Sequence, residues 1–108
     1  KANPASAAAA GVALLNSAKY SEAVVALGAV FDADQKSAPV AFVLGWAHRG
    51  AGSLTSAVSA FRNAALIDPS MIPAHLALAD TYLELKQPAL AIQALEAGLA
   101  RNPNAVEL

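Results

Sequence analysis

The segment that decides the fold is LGWAHRGAGSLTSAVSAFRNAALIDP, which runs from Leu44 to Pro69. The segment LADTYLELKQPALAIQALEAGLARNP, from Leu78 to Pro103, repeats its order of large, small and proline positions 34 residues later. The two segments align without any insertion. A fixed period of this length indicates a repeat architecture, in which each copy is one supersecondary unit.

The same step backwards gives a third, more degenerate copy near the start of the chain. Gln35 stands where the other copies carry proline. The remaining matching positions hold small or apolar residues, namely Ala10, Gly11, Ala23, Leu27 and Val30. We therefore predict one domain over residues 1–108, with units at about 4–37, 38–71 and 72–105.

Each unit is predicted to contain two amphipathic helices, because apolar residues recur at helical spacing on both sides of a polar break. The breaks fall near residues 17–21, 51–55 and 86–88. Pro39 and Pro73 lie one step inside the predicted start of a first helix, where a missing amide hydrogen costs nothing. Pro69 and Pro103 instead end their units. The chain is therefore predicted to be all-α, with six helices.

Small residues recur where the two helices of a unit are expected to cross. These pairs are Gly45 with Ala57, and Ala79 with Ala91. A side chain larger than alanine there would push the helix axes apart. The core within and between units is expected to be filled by Leu44, Phe61, Leu78, Tyr82 and Leu95.

This pattern resembles the tetratricopeptide repeat family over nearly the whole chain. The family's order of Leu-Gly, an aromatic residue, Ala, Phe, Ala and Pro is matched in the second unit by Leu44, Gly45, His48, Ala57, Phe61, Ala64 and Pro69. His48 replaces the aromatic residue. The third unit matches with Leu78, Ala79, Tyr82, Ala91, Leu95, Gly98 and Pro103. The resemblance implies a right-handed α-solenoid of three helix-turn-helix units, with first helices lining a concave groove that binds peptide segments of other proteins.

The family's groove positions, carried onto this chain, are Val12, Leu15, Asn16, Phe42, Val43, Trp46, Arg49, Leu76, Asp80, Leu83 and Glu84. Such a surface is unusually apolar for a solvated face, and apolar patches mark binding sites. Phe42 and Trp46 are four residues apart, so we expect them to stack as a central anchor, with intramolecular packing as the alternative. Arg49 is expected to pair with Asp80 rather than with a partner.

Some family members grip a terminal carboxylate with Lys, Asn and Arg side chains in the groove. The corresponding positions here are Ala8, Val12, Val43, Pro73 and Ala77. None of these side chains can hydrogen-bond a carboxylate, so we do not expect this binding mode.

Composition argues against several classes of partner. The formal net charge is -1, which gives no electrostatic footprint for nucleic acid or for an anionic membrane surface. The longest small or apolar run, Ala7 to Leu15, is far short of the roughly 20 residues that span a bilayer. The absence of cysteine fits the cytoplasm and the periplasm alike. The cytoplasm is slightly favoured, and no nucleic acid or membrane is expected as a partner.

No pattern of residues predicts catalysis or metal binding. His48 and His75 have no second ligand at metal-binding spacing, and the serines cluster at helix starts, where capping is their usual role. The carboxylates are scattered along the chain and form no paired acid-base motif. We expect no catalytic site, no metal and no cofactor.

Three functions remain open at this stage. The first is a scaffold that binds a protein or peptide partner, and the second is a chaperone resembling those of type III secretion, which hold hydrophobic secreted proteins. The third is self-association. Asn104 to Leu108 looks like the start of another helix, and no polar capping helix follows Leu90 to Leu99. We therefore expect a longer protein, or a second copy that covers the outer face of the third unit.

Overall fold

Six helices form the part of the chain that the structure, a computed structural model, describes: residues 4–101, with side chains from residue 7. They are α1 (Pro4–Asn16), α2 (Tyr20–Ala33), α3 (Ala38–Gly50), α4 (Leu54–Ile67), α5 (Ile72–Glu84) and α6 (Pro88–Arg101). No strand occurs in residues 4–101, and the predicted all-α class with six helices is confirmed. The roles predicted for Pro103 and for Asn104 to Leu108 lie outside the described residues. None of the six helices is long and apolar enough to cross a membrane.

The helix bounds repeat with the period seen in the sequence. The first helices begin at residues 4, 38 and 72, and the second helices begin at residues 20, 54 and 88. Each helix therefore starts 34 residues after its counterpart in the preceding unit. The turns within units, at residues 17–19, 51–53 and 85–87, lie at the predicted polar breaks.

The start of α3 shows how the sequence sets a helix boundary. Ser37 is the N-cap, and its Oγ accepts a hydrogen bond from the amide of Val40 at 3.3 Å. This bond satisfies one of the amide groups that have no partner within the first turn. Pro39 and Pro73 lie in the first turns of α3 and α5, as predicted.

Helices that are neighbours in sequence pack against each other, both within units and from α2 to α3 and α4 to α5. On one side of the molecule α1 touches α3, and Arg49 joins α3 to α5. The first helices of the three units therefore lie side by side on one face of an elongated body measuring 42 × 25 × 21 Å. A unit that contacts mainly its neighbours is the arrangement of a solenoid.

The closest contact within the second unit joins Gly45 on α3 to Phe61 on α4. Phe61 is fully buried, and a Cβ added at Gly45 would lie 2.6 Å from its Cδ1 atom. The first unit repeats this contact, because a Cβ at Gly11 would lie 2.6 Å from Cγ of Leu27. Glycine is therefore needed because the large side chain of the second helix rests directly on the backbone of the first.

The predicted core is confirmed for Leu44, Phe61, Leu78 and Tyr82, which are all buried. The prediction for Leu95 is wrong, since its side chain is 40% exposed. Leu95 occupies the position of Phe61, but Phe61 is covered by α5 of the following unit. Within residues 4–101 no following unit covers α6.

We expect Gly45→Ala to lower the free energy of unfolding by about 1–3 kcal/mol, because the new methyl group overlaps the Phe61 ring. Adding Phe61→Leu reproduces the alanine and leucine pair of the third unit. The destabilisation of the double variant should therefore be about 0.5–3 kcal/mol smaller than the sum of the two single destabilisations. Urea denaturation followed by circular dichroism measures the free energy of unfolding of each variant.

The control for this pair is Gly28→Ala on α2, where an added Cβ meets nothing within 4 Å. This change should raise stability by roughly 0.5–1 kcal/mol, the usual gain for glycine to alanine inside a helix. Additive changes in the free energy of unfolding for Gly45→Ala and Phe61→Leu would contradict the predicted coupling between these two positions.

The turn that follows the first helix of every unit contains a residue with left-handed backbone. Ala18 and Lys86 have φ of 60°, and Gly52 has φ of 84°. The following amide donates back to the carbonyl five residues earlier in each case: Lys19 to Leu14, Ser53 to His48 and Gln87 to Tyr82, all at 2.9 Å. These are Schellman-type ends, for which glycine is the usual residue. Two of the three units therefore carry a strained non-glycine residue there.

We expect Lys86→Gly to stabilise the protein, because glycine removes about 1–2 kcal/mol of left-handed strain. Part of that gain is offset by the greater freedom of glycine in the unfolded chain, which leaves a net gain below about 1 kcal/mol. Lys86→Ala is the control, since it removes the lysine side chain and keeps the strain. Gly52→Ala should cost about 1 kcal/mol, and a neutral Gly52→Ala in thermal melts would refute the account.

Candidate functional site

All eleven predicted groove residues lie on the first helices of the units, which places them on one side of the molecule. They divide into two sets by exposure. Six are exposed: Asn16, Trp46, Leu76, Asp80, Leu83 and Glu84. The other five are half-buried: Val12, Leu15, Phe42, Val43 and Arg49. The surface open to a partner is therefore concentrated on α3 and α5, while Leu15 and Val43 pack against the core formed with α2.

Trp46 is the central aromatic side chain of this face. Its ring meets Phe42 edge-on, with centroids 6.2 Å apart and planes at 89°. It also meets the buried Phe61 at 5.3 Å and 73°. The expected contact between Phe42 and Trp46 is present, but it is edge-on, and both rings also pack against Phe61. Trp46 keeps 37% of its surface exposed, whereas Phe42 is partly buried against the core.

Arg49 lies one helical turn beyond Trp46 and links α3 to α5. Its guanidinium forms ion pairs with Asp80, at 2.9 Å, and with Glu84. It also donates to Oγ1 of Thr81 at 3.2 Å. The guanidinium carbon lies 5.4 Å from the Trp46 ring centroid, within the range of a cation–π contact. The expected pair with Asp80 is present, and the Arg49 side chain is only 14% exposed.

The role of Thr81 in this cluster was not predicted from the sequence. Thr81 is fully buried, and its hydroxyl donates to the carbonyl of Ala77 at 2.7 Å while it accepts from Arg49. A threonine that follows Asp80 directly would be expected on a different face from the groove. The signal that could have found it is its spacing from Ala77, since a hydroxyl bonds the carbonyl four residues earlier in a helix.

Both histidines lie away from this face. His48 lines a cavity of about 240 Å³ together with Phe31, Leu44, Ser56 and Asn63, and burial lowers its pKa. Nε2 of His75 donates to the carbonyl of Pro69 at 2.8 Å, which ties the start of α5 to the end of the preceding unit. Among the described residues, no three His, Asp or Glu side chains gather as a metal site would require.

Comparison with known proteins identifies a matching family and a set of similar solved structures. A profile of the tetratricopeptide repeat matches residues 48–108. No curated protein sequence matches the chain.

The similar solved structures include several of MamA. The MamA RS-1 ArsTM double mutant has a TM-score of 0.88 and 22% identity, covering 95% of this chain and 58% of its own. MamA 41-end from Desulfovibrio magneticus RS-1 has a TM-score of 0.80 and 24% identity, covering 87% and 53%. MamA AMB-1 has a TM-score of 0.81 and 26% identity, covering 89% and 56%. The chain thus spans little more than half of these proteins, and the likeness confirms the right-handed α-solenoid fold.

Proposed function

The chain belongs to the tetratricopeptide repeat family, and from this premise we propose that it is a protein-binding scaffold whose groove holds an apolar segment of a partner. The groove is the face formed by α1, α3 and α5. Its exposed apolar side chains are Trp46, Leu76 and Leu83. Large apolar side chains that share one solvated face commonly mark an interaction site.

The observation that carries this proposal is the setting of Trp46. The indole is held from below by Phe61, from the side by Phe42 and on its face by Arg49, yet more than a third of it stays exposed. A side chain fixed in this way loses little freedom when a partner covers it, so more of the burial energy contributes to affinity. Tryptophan is also the residue type most enriched among interface hot spots.

We expect Trp46→Ala to weaken strongly the binding of peptides selected on the immobilised wild-type chain from a random display library. Truncating a central aromatic anchor costs about 2 kcal/mol or more, which is on the order of a thirtyfold loss of affinity. Fluorescence anisotropy with a labelled selected peptide measures the loss. Leu83→Ser is a second groove variant, useful because Leu83 is more exposed than Trp46.

The matched control is Leu66→Ala, which truncates an exposed leucine on α4, outside the groove. Its affinity should equal that of the wild type. Circular dichroism should give native helix content for all three variants. Peptides that bind Trp46→Ala and Leu83→Ser as tightly as the wild type would rule out the groove as the binding site.

A second function, assembly with further copies of the chain, is supported by the outer face of α6. Ile92, Leu95 and Leu99 follow helical spacing along one stripe and are all exposed. Within residues 4–101, α6 packs mainly against α5, and this stripe stays partly exposed. A second copy packing there would cover it as α5 covers Phe61 in the second unit.

Light scattering over a range of concentrations tests this second function. We expect the mass to rise above the 10.9 kDa of one chain as concentration increases. Leu95→Glu should restore the single-chain mass, because a buried unpaired carboxylate opposes association. Leu66→Glu, on α4, should leave assembly intact. A mass of one chain at every concentration would remove the hypothesis.

A further inference from the structure

The groove face carries an uneven set of charges. Helix α1 contains no charged residue, α3 contributes Arg49, and α5 contributes Asp80 and Glu84. One positive and two negative charges give these three helices a formal net charge of -1, with both histidines directed away. Arg49 lies beside Trp46, and both carboxylates lie on α5.

The single cation is already engaged by the chain itself. Arg49 binds two carboxylates and a hydroxyl and lies against the Trp46 ring, so little of it is open to a ligand. Asp80 and Glu84 share this one cation and remain 60% and 48% exposed. Arg49 reaches Asp80 through Oδ2 and Glu84 through Oε1. Among residues 4–101, no donor reaches Oδ1 of Asp80 or Oε2 of Glu84.

These open carboxylate oxygens lie next to the apolar part of the groove. Asp80 follows Leu76 by four residues and precedes Leu83 by three, so the three side chains share one face of α5. A segment covering Trp46, Leu76 and Leu83 must therefore place one of its own side chains beside Asp80. An acidic side chain there would be repelled, whereas a basic one would gain an ion pair while its aliphatic stem covers the leucines.

We propose that the occupant of the groove is an apolar segment of a partner protein that carries a lysine or arginine beside its anchoring residues, and that Asp80 and Glu84 receive this cation. This inference rests on the proposed function of the groove. A groove that binds a carboxylate selects acidic partners, whereas this groove would select basic ones. The reason is that Arg49, the only arginine on the groove helices, is already paired with Asp80 and Glu84.

The test compares peptides selected from one random display library on four immobilised chains. Asp80→Asn/Glu84→Gln changes the groove charge from -1 to +1 and leaves Arg49 without a carboxylate. Asp32→Asn/Glu96→Gln removes two exposed carboxylates from α2 and α6 and is the matched control. Trp46→Ala shows which selected peptides depend on the groove.

We expect the wild type and the control variant to enrich peptides with Lys or Arg adjacent to apolar residues. The Asp80→Asn/Glu84→Gln variant should lose this enrichment and favour Asp or Glu instead. A labelled peptide selected on the wild-type chain should bind the Asp80→Asn/Glu84→Gln variant roughly two- to tenfold more weakly than it binds the wild type, which is the range for one or two exposed ion pairs. Raising the ionic strength should narrow the difference, since salt screens exposed charges.

The outcomes separate this inference from the function on which it rests. The basic partner is overturned if the selected peptides require Trp46 but show no excess of Lys or Arg. It is also overturned if they bind both carboxylate variants equally. In either case the proposed function of the groove is unaffected. Acidic peptides enriched on the wild type also overturn the basic partner. Peptides that bind without regard to Trp46 and Leu83 remove the groove function, and the basic partner with it.

Discussion

The rest of the structure depends on the absence of a side chain at Gly45. Because α3 offers only backbone at this point, the Phe61 ring can rest on it, and the ring fixes the distance between the two helices of the unit. The same ring meets Trp46 and Phe42 at its edges. One steric constraint in the core therefore also sets the position of the aromatic group on the groove face, so packing and binding surface cannot vary independently in the second unit.

Arg49 links neighbouring units through polar groups rather than through burial. Its ion pairs with Asp80 and Glu84 are partly solvated, and exposed pairs contribute only about 0–1 kcal/mol each. Their importance is geometric, because they hold the guanidinium against the Trp46 ring. The buried hydroxyl of Thr81 also helps to orient the guanidinium. Its proton is donated to the carbonyl of Ala77, so its oxygen is left to accept from Arg49.

The sequence predicted the helices well because their signals are local and periodic. Apolar spacing, polar breaks and prolines recur every 34 residues, and the helix bounds follow them. The left-handed residues Ala18 and Lys86 were not predicted, because only Gly52 carries the residue type that signals such a backbone. Leu95 was misplaced for a different reason. Its burial depends on which helix lies next to it in space, and a repeat pattern assigns the same environment to every copy.

The groove was predicted as a set of positions, but the chemistry of those positions comes from contacts that spacing does not reveal. The spacing of Phe42 and Trp46 shows that they share a face, but not that Phe61 turns them edge-on. Likewise, Glu84 was assigned to the groove without any sign that it shares Arg49 with Asp80.

The three units share one backbone geometry, but their groove side chains differ along the solenoid. The first unit presents Val12, Leu15 and Asn16, which carry no charge, whereas the third presents two carboxylates among leucines. A segment lying across the three first helices therefore meets an uncharged surface at one end and an acidic one at the other. Backbone repetition alone would let a segment bind in either direction. For the proposed partner segment, the asymmetry of these side chains favours the direction that brings its cation to α5, so its orientation would be set by the sequence rather than by the fold.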